Sequence, residues 1–321
     1  MDAFFDFEKP IATLEKRLQE LRELPKTESI DFSSEIQALE SKVEELIDEI
    51  YGKLTPWQRV QLSRHPNRPY AADYLPLIFD DFVELHGDRL FGDDPAILAG
   101  LSSIDGKNVA LVAIQKGRNT KQKIERNFGM AKPEGYRKDL RVMKLASQFK
   151  IPIVTFIDTP GAFPGIDAEE RGQSEAIARC ILEMFTLNSP IVACVIGEGG
   201  SGGALAIGVA DRILMQEYST YSVISPESCA SILWSDSGRC ETAAQIMKMT
   251  PEEITPLGVI DGTVPEPKGG AHRDWKTAAK FLKTAILKQL DELTKVPEKE
   301  LIAARQYKFR QMGSVALVTT K

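Results

Sequence analysis

Apolar positions in the first fifty residues recur at spacings of three and four, the period of an amphipathic helix. One set precedes Pro25 and a second follows it, so the pattern predicts two helices separated by a proline break. Ser34, with Gln37 three residues later, predicts a capping box that opens the second helix. We expect a helical hairpin over residues 1–54, its apolar side covered by the rest of the chain or by a partner. The apolar positions are Phe7, Ile11, Leu14, Leu18 and Leu21, then Ile36, Leu39, Val43, Leu46 and Ile50.

From about residue 97 the pattern changes to short apolar runs that are rich in β-branched residues, with helical stretches between several of them. Runs that are apolar on both faces and joined by helices predict a mostly parallel, buried sheet in an α/β fold. We expect this domain to cover residues 55–321, with C-terminal helices from about residue 272. The expected strands are 97–104, 109–114, 151–157, 191–196, 212–215 and 221–224, and the expected helices are 135–149, 173–187, 202–209, 272–293 and 298–312.

Three further helix starts share one sequence design. Thr55-Pro56, Ser225-Pro226 and Thr250-Pro251 each place a hydroxyl at the cap and a proline at the first helical position. Proline fits there because the backbone N–H of that position has no partner within the helix.

Composition narrows the class of protein. The 321 residues are 43% hydrophobic and 27% charged with a net charge of −6, as in a soluble globular protein. No apolar run approaches a membrane span, and the acidic start lacks the basic flank of a signal peptide, so we expect a cytoplasmic protein. Residues 116–144 hold ten bases against three acids, which suits a small anion rather than nucleic acid, or is simply a solvated helix face.

The four cysteines argue against a metal in this chain. Cys180, Cys194, Cys229 and Cys240 form no C-x-x-C pair, so the sequence predicts neither a zinc site nor a disulfide scaffold. We expect buried thiols that pack as small apolar side chains.

The strongest candidate for chemistry is the glycine segment, residues 197–203, which follows an apolar strand and holds five glycines in seven positions. Glycine is costly unless the backbone itself is needed, and a following helix directs free N–H groups at negative charge. The segment therefore predicts a phosphate cradle or an oxyanion hole, or else a tight strand-to-helix turn packed against a neighbour.

One known sequence motif would give the glycine segment a different function. Gly199-Gly200-Ser201-Gly202-Gly203 fits the G-x-S-x-G nucleophile elbow, for which His272 is the one histidine downstream of Ser201. A phosphate loop of the G-K-[ST] type does not occur in the sequence.

Two more segments follow predicted strands. Residues 158–165 combine two prolines and two glycines in a rigid loop at a strand end, where ligands bind in parallel sheets. Asp158 is expected to cap that loop. Lys116-Gly117-Arg118 and the stretch from Arg126 lie in the basic region, where arginine forks suit carboxylates and phosphates.

These segments, taken in order, closely resemble the carboxyltransferase alpha subunits of multi-subunit acetyl-CoA carboxylases. The likeness runs from about Thr55 to Arg273. The residues that carry it are Gly87-Asp88-Arg89, Lys116-Gly117-Arg118, 126–130, 158–165, 197–206, 218–227 and 265–272.

The resemblance implies a crotonase-like ββα superhelix with the helical hairpin before it and helices after it. It implies transfer of a carboxyl group from carboxybiotin to acetyl-CoA, which makes malonyl-CoA in the first committed step of fatty acid synthesis. It also implies an α2β2 heterotetramer, active only with a beta subunit that carries the zinc. Biotin would arrive on the biotin carboxyl carrier protein, with biotin carboxylase in the wider complex.

For the site, the resemblance implies that the N–H groups of Gly202 and Gly203 form an oxyanion hole on the biotin side. The residues expected to bind substrate are Gly199, Gly200, Gly161, Ala162, Phe163, Lys116, Arg118 and Arg126. Three alternatives stay open: a crotonase-fold acyl-CoA enzyme without biotin, a hydrolase with Ser201 as nucleophile, and a scaffold that only positions a partner.

Overall fold

The computed structural model describes residues 4–23 and 32–313. Within them, eight strands form one mixed sheet. The strands are β1 (Asp80–Glu84), β2 (Ile97–Ile104), β3 (Lys107–Ile114), β4 (Ile153–Thr159), β5 (Ile191–Gly200), β6 (Arg212–Gln216), β7 (Thr220–Ser222) and β8 (Gly262–Val264). The strand order is β1-β2-β3-β4-β5-β6-β8, and β7 pairs with the last residues of β5.

The sheet is parallel from β3 onward and antiparallel among β1, β2 and β3. All six predicted strands are present, so the expectation of an α/β fold with a mostly parallel sheet is confirmed. The sequence missed β1 and β8, and it ended β5 four residues too early, because β5 continues through the first half of the glycine segment.

Helices cover both faces of the sheet, and further helices precede the first strand and follow the last one along the chain. They are α1 (Lys9–Glu23), α2 (Ser33–Tyr51), α3 (Pro56–Ser63), α4 (Ala71–Ile78), α5 (Thr120–Glu125), α6 (Pro133–Gln148), α7 (Ile166–Glu170), α8 (Gln173–Met184), α9 (Ser201–Leu205), α10 (Pro226–Trp234), α11 (Cys240–Met247), α12 (Pro251–Ile254), α13 (Trp275–Leu293) and α14 (Glu298–Gln311). No helix in these described stretches combines the length and the apolar character needed to cross a bilayer.

Local signals located most helix starts. Thr55, Ser225 and Thr250 are the caps of α3, α10 and α12, each followed by proline, as predicted. The capping box at Ser34 is wrong: α2 begins at Ser33 with Phe32 at its cap, so Ser34 already lies inside the first turn. Pro25, the expected break between α1 and α2, lies outside the described residues.

Two apolar layers hold the sheet between its helices. In β4, Ile153 and Ile157 face the layer that contains α6 and α8, whereas Val154 and Phe156 face the layer that contains α4 and α13. This alternation is the period of two that a strand buried on both faces requires.

Two of the cysteines lie in these layers, but Cys229 and Cys240 are only partly buried, so the expectation of four buried thiols is wrong for them.

The N-terminal helices pack against the main part of the chain. Ile11 of α1 and Val43 and Ile47 of α2 share a buried cluster with Leu62 and Tyr218. The apolar side of the two helices is therefore covered from within the chain. The boundary between residues 54 and 55 stays a prediction.

A buried carboxylate joins this N-terminal region to the core. Glu8 accepts hydrogen bonds from the Tyr51 hydroxyl (2.7 Å) and the Phe5 amide (3.0 Å), and its Oε1 lies 3.1 Å from Nε2 of His272. Burial by itself raises the pKa of Glu8, but the bonds from His272, Phe5 and Tyr51 lower it to about 2.

We expect acid to loosen the N-terminal helices through Glu8. Its folded pKa of about 2 lies below the usual 4.5, so the stabilisation is present above pH 4.5 and is lost as the pH falls toward 2. Hydrogen exchange of α1, measured across this range, should show a difference between native protein and Glu8→Gln that disappears at the acid end. Glu35→Gln, on an exposed position of α2, is the control. A native-minus-variant difference that does not change with pH would contradict the assignment.

Candidate functional site

The ends of three neighbouring parallel strands meet at one edge of the sheet. Lys116 follows β3, Asp158 lies near the end of β4, and β5 leads into the glycine segment. The backbone of Gly199 pairs with Thr159 of β4 on one side and with Tyr221 of β7 on the other. The sheet thus brings together the three segments that the sequence selected.

Close packing explains four of the five glycines in the glycine segment. A Cβ atom at Gly197, Gly199, Gly200 or Gly203 would come within 3.0 Å of a neighbouring atom. At Gly203 the obstacle is backbone, since the Cβ would lie 2.6 Å from the carbonyl carbon of Gly161 and 2.8 Å from the nitrogen of Ala162. Gly202 differs, because its nearest neighbour is the side chain of Ile177 at 3.7 Å. The expected tight packing is therefore real, and it presses two loops together at Gly203.

Backbone donors collect where these loops touch. The first-turn N–H groups of α9, including those of Gly202 and Gly203, have no acceptor within their helix. Outside it, no hydrogen bond of these two amides, or of the Ala162 amide, reaches another described residue. Gly203 is buried. Because buried backbone N–H groups are rarely left without a partner, this arrangement can bind a negatively charged oxygen.

Charged side chains lie behind the glycine segment. The Lys116 ammonium is 2.7 Å from Asp158 Oδ1 and 2.9 Å from Glu198 Oε2, and the Arg64 guanidinium is 2.6 Å from Glu198 Oε1. Asp158 Oδ1 also accepts the backbone N–H of Glu198 at 3.0 Å. Asp158 thus holds the glycine segment rather than the loop 158–165 that it was expected to cap; within that loop the Gly161 amide donates to the Thr159 hydroxyl at 3.0 Å.

The charges hold each other ionised. Burial raises the pKa of Glu198, but Lys116 and Arg64 lower it to about 2. Burial likewise lowers the pKa of Lys116, but Asp158 and Glu198 raise it above its usual value. Sequence reasoning missed Glu198 and Arg64. A carboxylate on a strand buried on both faces must be paired, but this signal was hidden because the predicted strand ended at residue 196, before Glu198.

Several residues predicted to bind substrate already have partners. Lys116 is held between its two carboxylates with 13% of its side chain exposed. Arg118 bonds to Asp73 and to the carbonyl of Pro66, and its guanidinium stacks on Tyr70 and Trp275. Substrate contact stays a prediction for both, and these existing pairs do not favour it.

The other predicted residues have no such ion pair. Arg126 bonds to the carbonyl of Pro95, and Phe163 is half-buried beneath the ammonium of Lys132. Gly161 and Ala162 lie against Gly203. Gly199 and Gly200 form the last two positions of β5. As substrate-binding residues, all of these remain predictions.

Ser201 has the backbone of a nucleophile elbow, with a left-handed φ of 55° at the turn from β5 into α9. The base that this chemistry requires is engaged elsewhere. Nε2 of His272 faces Glu8, and its ring stacks on His65 with 4.0 Å between the ring centroids. No hydrogen bond joins Ser201 to His272 in the described structure, so the geometry does not favour the elbow.

Two groups of side chains within the described ranges could hold a metal ion by distance alone. In the group of Glu8, His65 and His272, the Asn67 amide donates to Nδ1 of His65 at 3.1 Å. A neutral His65 ring then carries its proton on Nε2, which cannot bind a metal.

The second group consists of Glu84, His86 and Asp93. The Lys138 ammonium lies 2.9 Å from both carboxylates and takes the place that a cation would need. Neither group therefore fits a metal well. The expectation that this chain binds none stays a prediction.

Comparison with known sequences matches nearly the whole chain. Residues 4–313 fit the model of the acetyl co-enzyme A carboxylase carboxyltransferase-like family. Similar proteins include the acetyl-coenzyme A carboxylase carboxyl transferase subunit alpha of Methylococcus capsulatus, 57% identical over 310 residues, or 97% of each chain. The protein of that name from Dichelobacter nodosus is 53% identical over 311 residues, 97% of this chain and 98% of its own.

Solved structures share the fold at low sequence identity. A Pseudomonas malonate decarboxylase hetero-tetramer with coenzyme A is 17% identical at a TM-score of 0.55, covering 67% of this chain and 86% of its own. Transcarboxylase 12S is 19% identical at a TM-score of 0.54, and the match covers 68% of this chain and 42% of its own. The beta subunit of geranyl-CoA carboxylase from P. aeruginosa is 17% identical at a TM-score of 0.55, and the match covers 79% of this chain and 45% of its own. The expected crotonase-like fold is confirmed.

Proposed function

From the premise that the chain belongs to the acetyl co-enzyme A carboxylase carboxyltransferase family, we propose that it is the alpha half of the enzyme that carboxylates acetyl-CoA. The reaction moves a carboxyl group from carboxybiotin to acetyl-CoA and yields malonyl-CoA. The observation that carries the proposal is 57% identity across 97% of the chain to a protein named as this subunit. The unpaired amides beside Gly203 supply the matching chemistry.

The site has a defined task in this reaction. Carboxybiotin would supply the carboxyl group, and negative charge develops on the ureido oxygen of biotin as that group leaves. The N–H groups of Gly202 and Gly203 are donors fixed in advance, and they stabilise that charge without reorganising. Tight contact between the loops that follow β4 and β5 keeps the donors in place. The biotin anion left by the departing carboxyl group would take the proton from the methyl group of acetyl-CoA, so no side-chain base from this chain is required.

We further propose the assembly and surroundings that the family implies. The chain would work in an α2β2 heterotetramer with a beta subunit that binds zinc and much of the acetyl-CoA. The biotin carboxyl carrier protein would bring the biotin, and biotin carboxylase would recharge it in the cytoplasm. The alpha chain alone would be inactive.

Reconstitution tests the function. The chain, mixed with a beta subunit of its family, should transfer carboxyl groups from malonyl-CoA to a biotin analogue, releasing acetyl-CoA. Each chain assayed alone is the control. Absence of transfer at every mixing ratio, with a stable complex present, would reject the proposal.

Ser201 separates this proposal from a hydrolase. We expect Ser201→Ala to keep native turnover, because the backbone amides rather than the hydroxyl act on the substrate. If Ser201 were an acyl-transfer nucleophile, the same change would cost on the order of 10⁶ in kcat. The steady-state rate of the reconstituted complex decides between them, and a collapse of that rate would restore the elbow hypothesis.

A further inference from the structure

An alternating chain of charges lies directly behind the oxyanion donors. It runs from Asp158 through Lys116, Glu198 and Arg64 to Glu227, and each link is an ion pair of 2.5–2.9 Å. These residues come from the ends of β4 and β3, from β5, from the end of α3 and from the start of α10. The chain of charges therefore fastens four other elements to β5 and its glycine segment.

Glu198 is the unusual member. It lies within the glycine segment, with 13% of its side chain exposed, and its own amide is held by Asp158. Two carboxylates thus flank the backbone that must bind a developing negative charge. Unless they are balanced, their field opposes that charge, since interactions inside a protein are weakly screened. Among the residues that the structure describes, Lys116 is the one cation that touches both of them.

We propose that Lys116 is a positioning residue that cancels the charges of Glu198 and Asp158 behind the glycine segment, so that the amides of this segment can donate hydrogen bonds to an oxyanion. This inference rests on the proposed carboxyltransferase function. Lys116 acts here without touching the substrate.

The other charged groups around these carboxylates do not change their protonation in the pH range over which the rate is measured. Arg68, Tyr70 and Tyr74 also act on Asp158, and Glu227 acts through Arg64. Burial lowers the pKa of Arg68, but Glu266 raises it overall, and burial raises the pKa of both tyrosines. Burial raises the pKa of Glu227, but Arg64 lowers it overall. None of these groups titrates between pH 5 and pH 8.

Lys116→Met should therefore introduce a new ionisation into the rate profile. Without the ammonium, one buried carboxylate retains a proton at low pH, and the charge balance then survives. As that proton leaves between about pH 5 and pH 8, kcat should fall by about tenfold per pH unit, while KM for malonyl-CoA stays the same. The native complex should show no such fall of kcat with rising pH, because Glu198 stays ionised throughout this range.

A second substitution distinguishes charge from packing. Lys116→Met combined with Asp158→Asn removes the cation together with the carboxylate that has no other ion-pair partner among the described residues, whereas Glu198 keeps Arg64. The pH-dependent fall in kcat should therefore vanish, and kcat at pH 8 should rise above that of Lys116→Met. Lys121→Met, at an exposed position of the same basic region, should behave as native.

Three results would overturn the inference: equal loss of rate at every pH, no rescue of Lys116→Met by Asp158→Asn, or full activity of Lys116→Met. If Lys116→Met does not assemble, Lys116→Arg serves in its place, and it should retain a flat profile. Activity of the native complex is the reference for all of these outcomes. If the native complex itself is inactive, the proposed function has failed, and this result is distinct from a failure of the inference about Lys116.

Discussion

Valine at Gly203 should lower kcat of the reconstituted complex by about 10²–10³, the usual cost of losing an oxyanion donor. Its Cβ would need the space that the Gly161–Ala162 peptide occupies, with 2.6 Å and 2.8 Å to backbone atoms that cannot rotate away. The loops after β4 and β5 must then separate, and the amides lose their common geometry. Steady-state rates at saturating malonyl-CoA measure the effect.

The matched control is Gly92→Val, where a Cβ would have no atom within 4 Å and the backbone is not left-handed. It carries the same gain in volume and should leave the rate unchanged. Both variants should still bind the beta subunit, which sedimentation or light scattering can establish. A fully active Gly203→Val complex would show that the contact between the loops does not set the donor geometry.

The sequence predicted the interior strands well because their signal is strong and local. The strand over residues 97–104 is observed at those positions, since apolar residues occupy both of its faces. The strand β1 (Asp80–Glu84) was missed because it is a polar edge strand, and β8 has only three residues. Edge strands depend on pairing with a neighbour, which no local window reveals.

The sequence located the glycine segment that the sheet brings to this edge, but it did not locate the ion pairs behind that segment. Five glycines in seven positions indicated an exposed backbone, although the reason proved mixed, since close packing accounts for four of them. The pairing of Arg64 with Glu198 could not be predicted, because the two residues lie 134 positions apart and meet only once the sheet has formed. The capping box at Ser34 failed because α2 begins at Ser33, so that Ser34 lies inside the first turn and Phe32 is at the cap.

The largest effect on stability should come from Arg305 in α14. Its side chain is fully buried, with two bonds to Asp211 of 2.7 Å and 2.9 Å and others to the carbonyls of Met184, Leu187 and Ser189. Replacement with methionine keeps much of the volume but leaves Asp211 as a buried, unpaired carboxylate. Removing one partner of such a pair typically costs about 3–5 kcal/mol in the free energy of unfolding.

Arg305→Met should accordingly shift the urea midpoint far more than Arg310→Met, the same substitution at an exposed position of the same helix. Asp211 also accepts the Ile191 amide at the start of β5, so the loss should reach the strand that carries the glycine segment. Equal midpoints for the two variants would mean that α14 is held by apolar packing rather than by this ion pair.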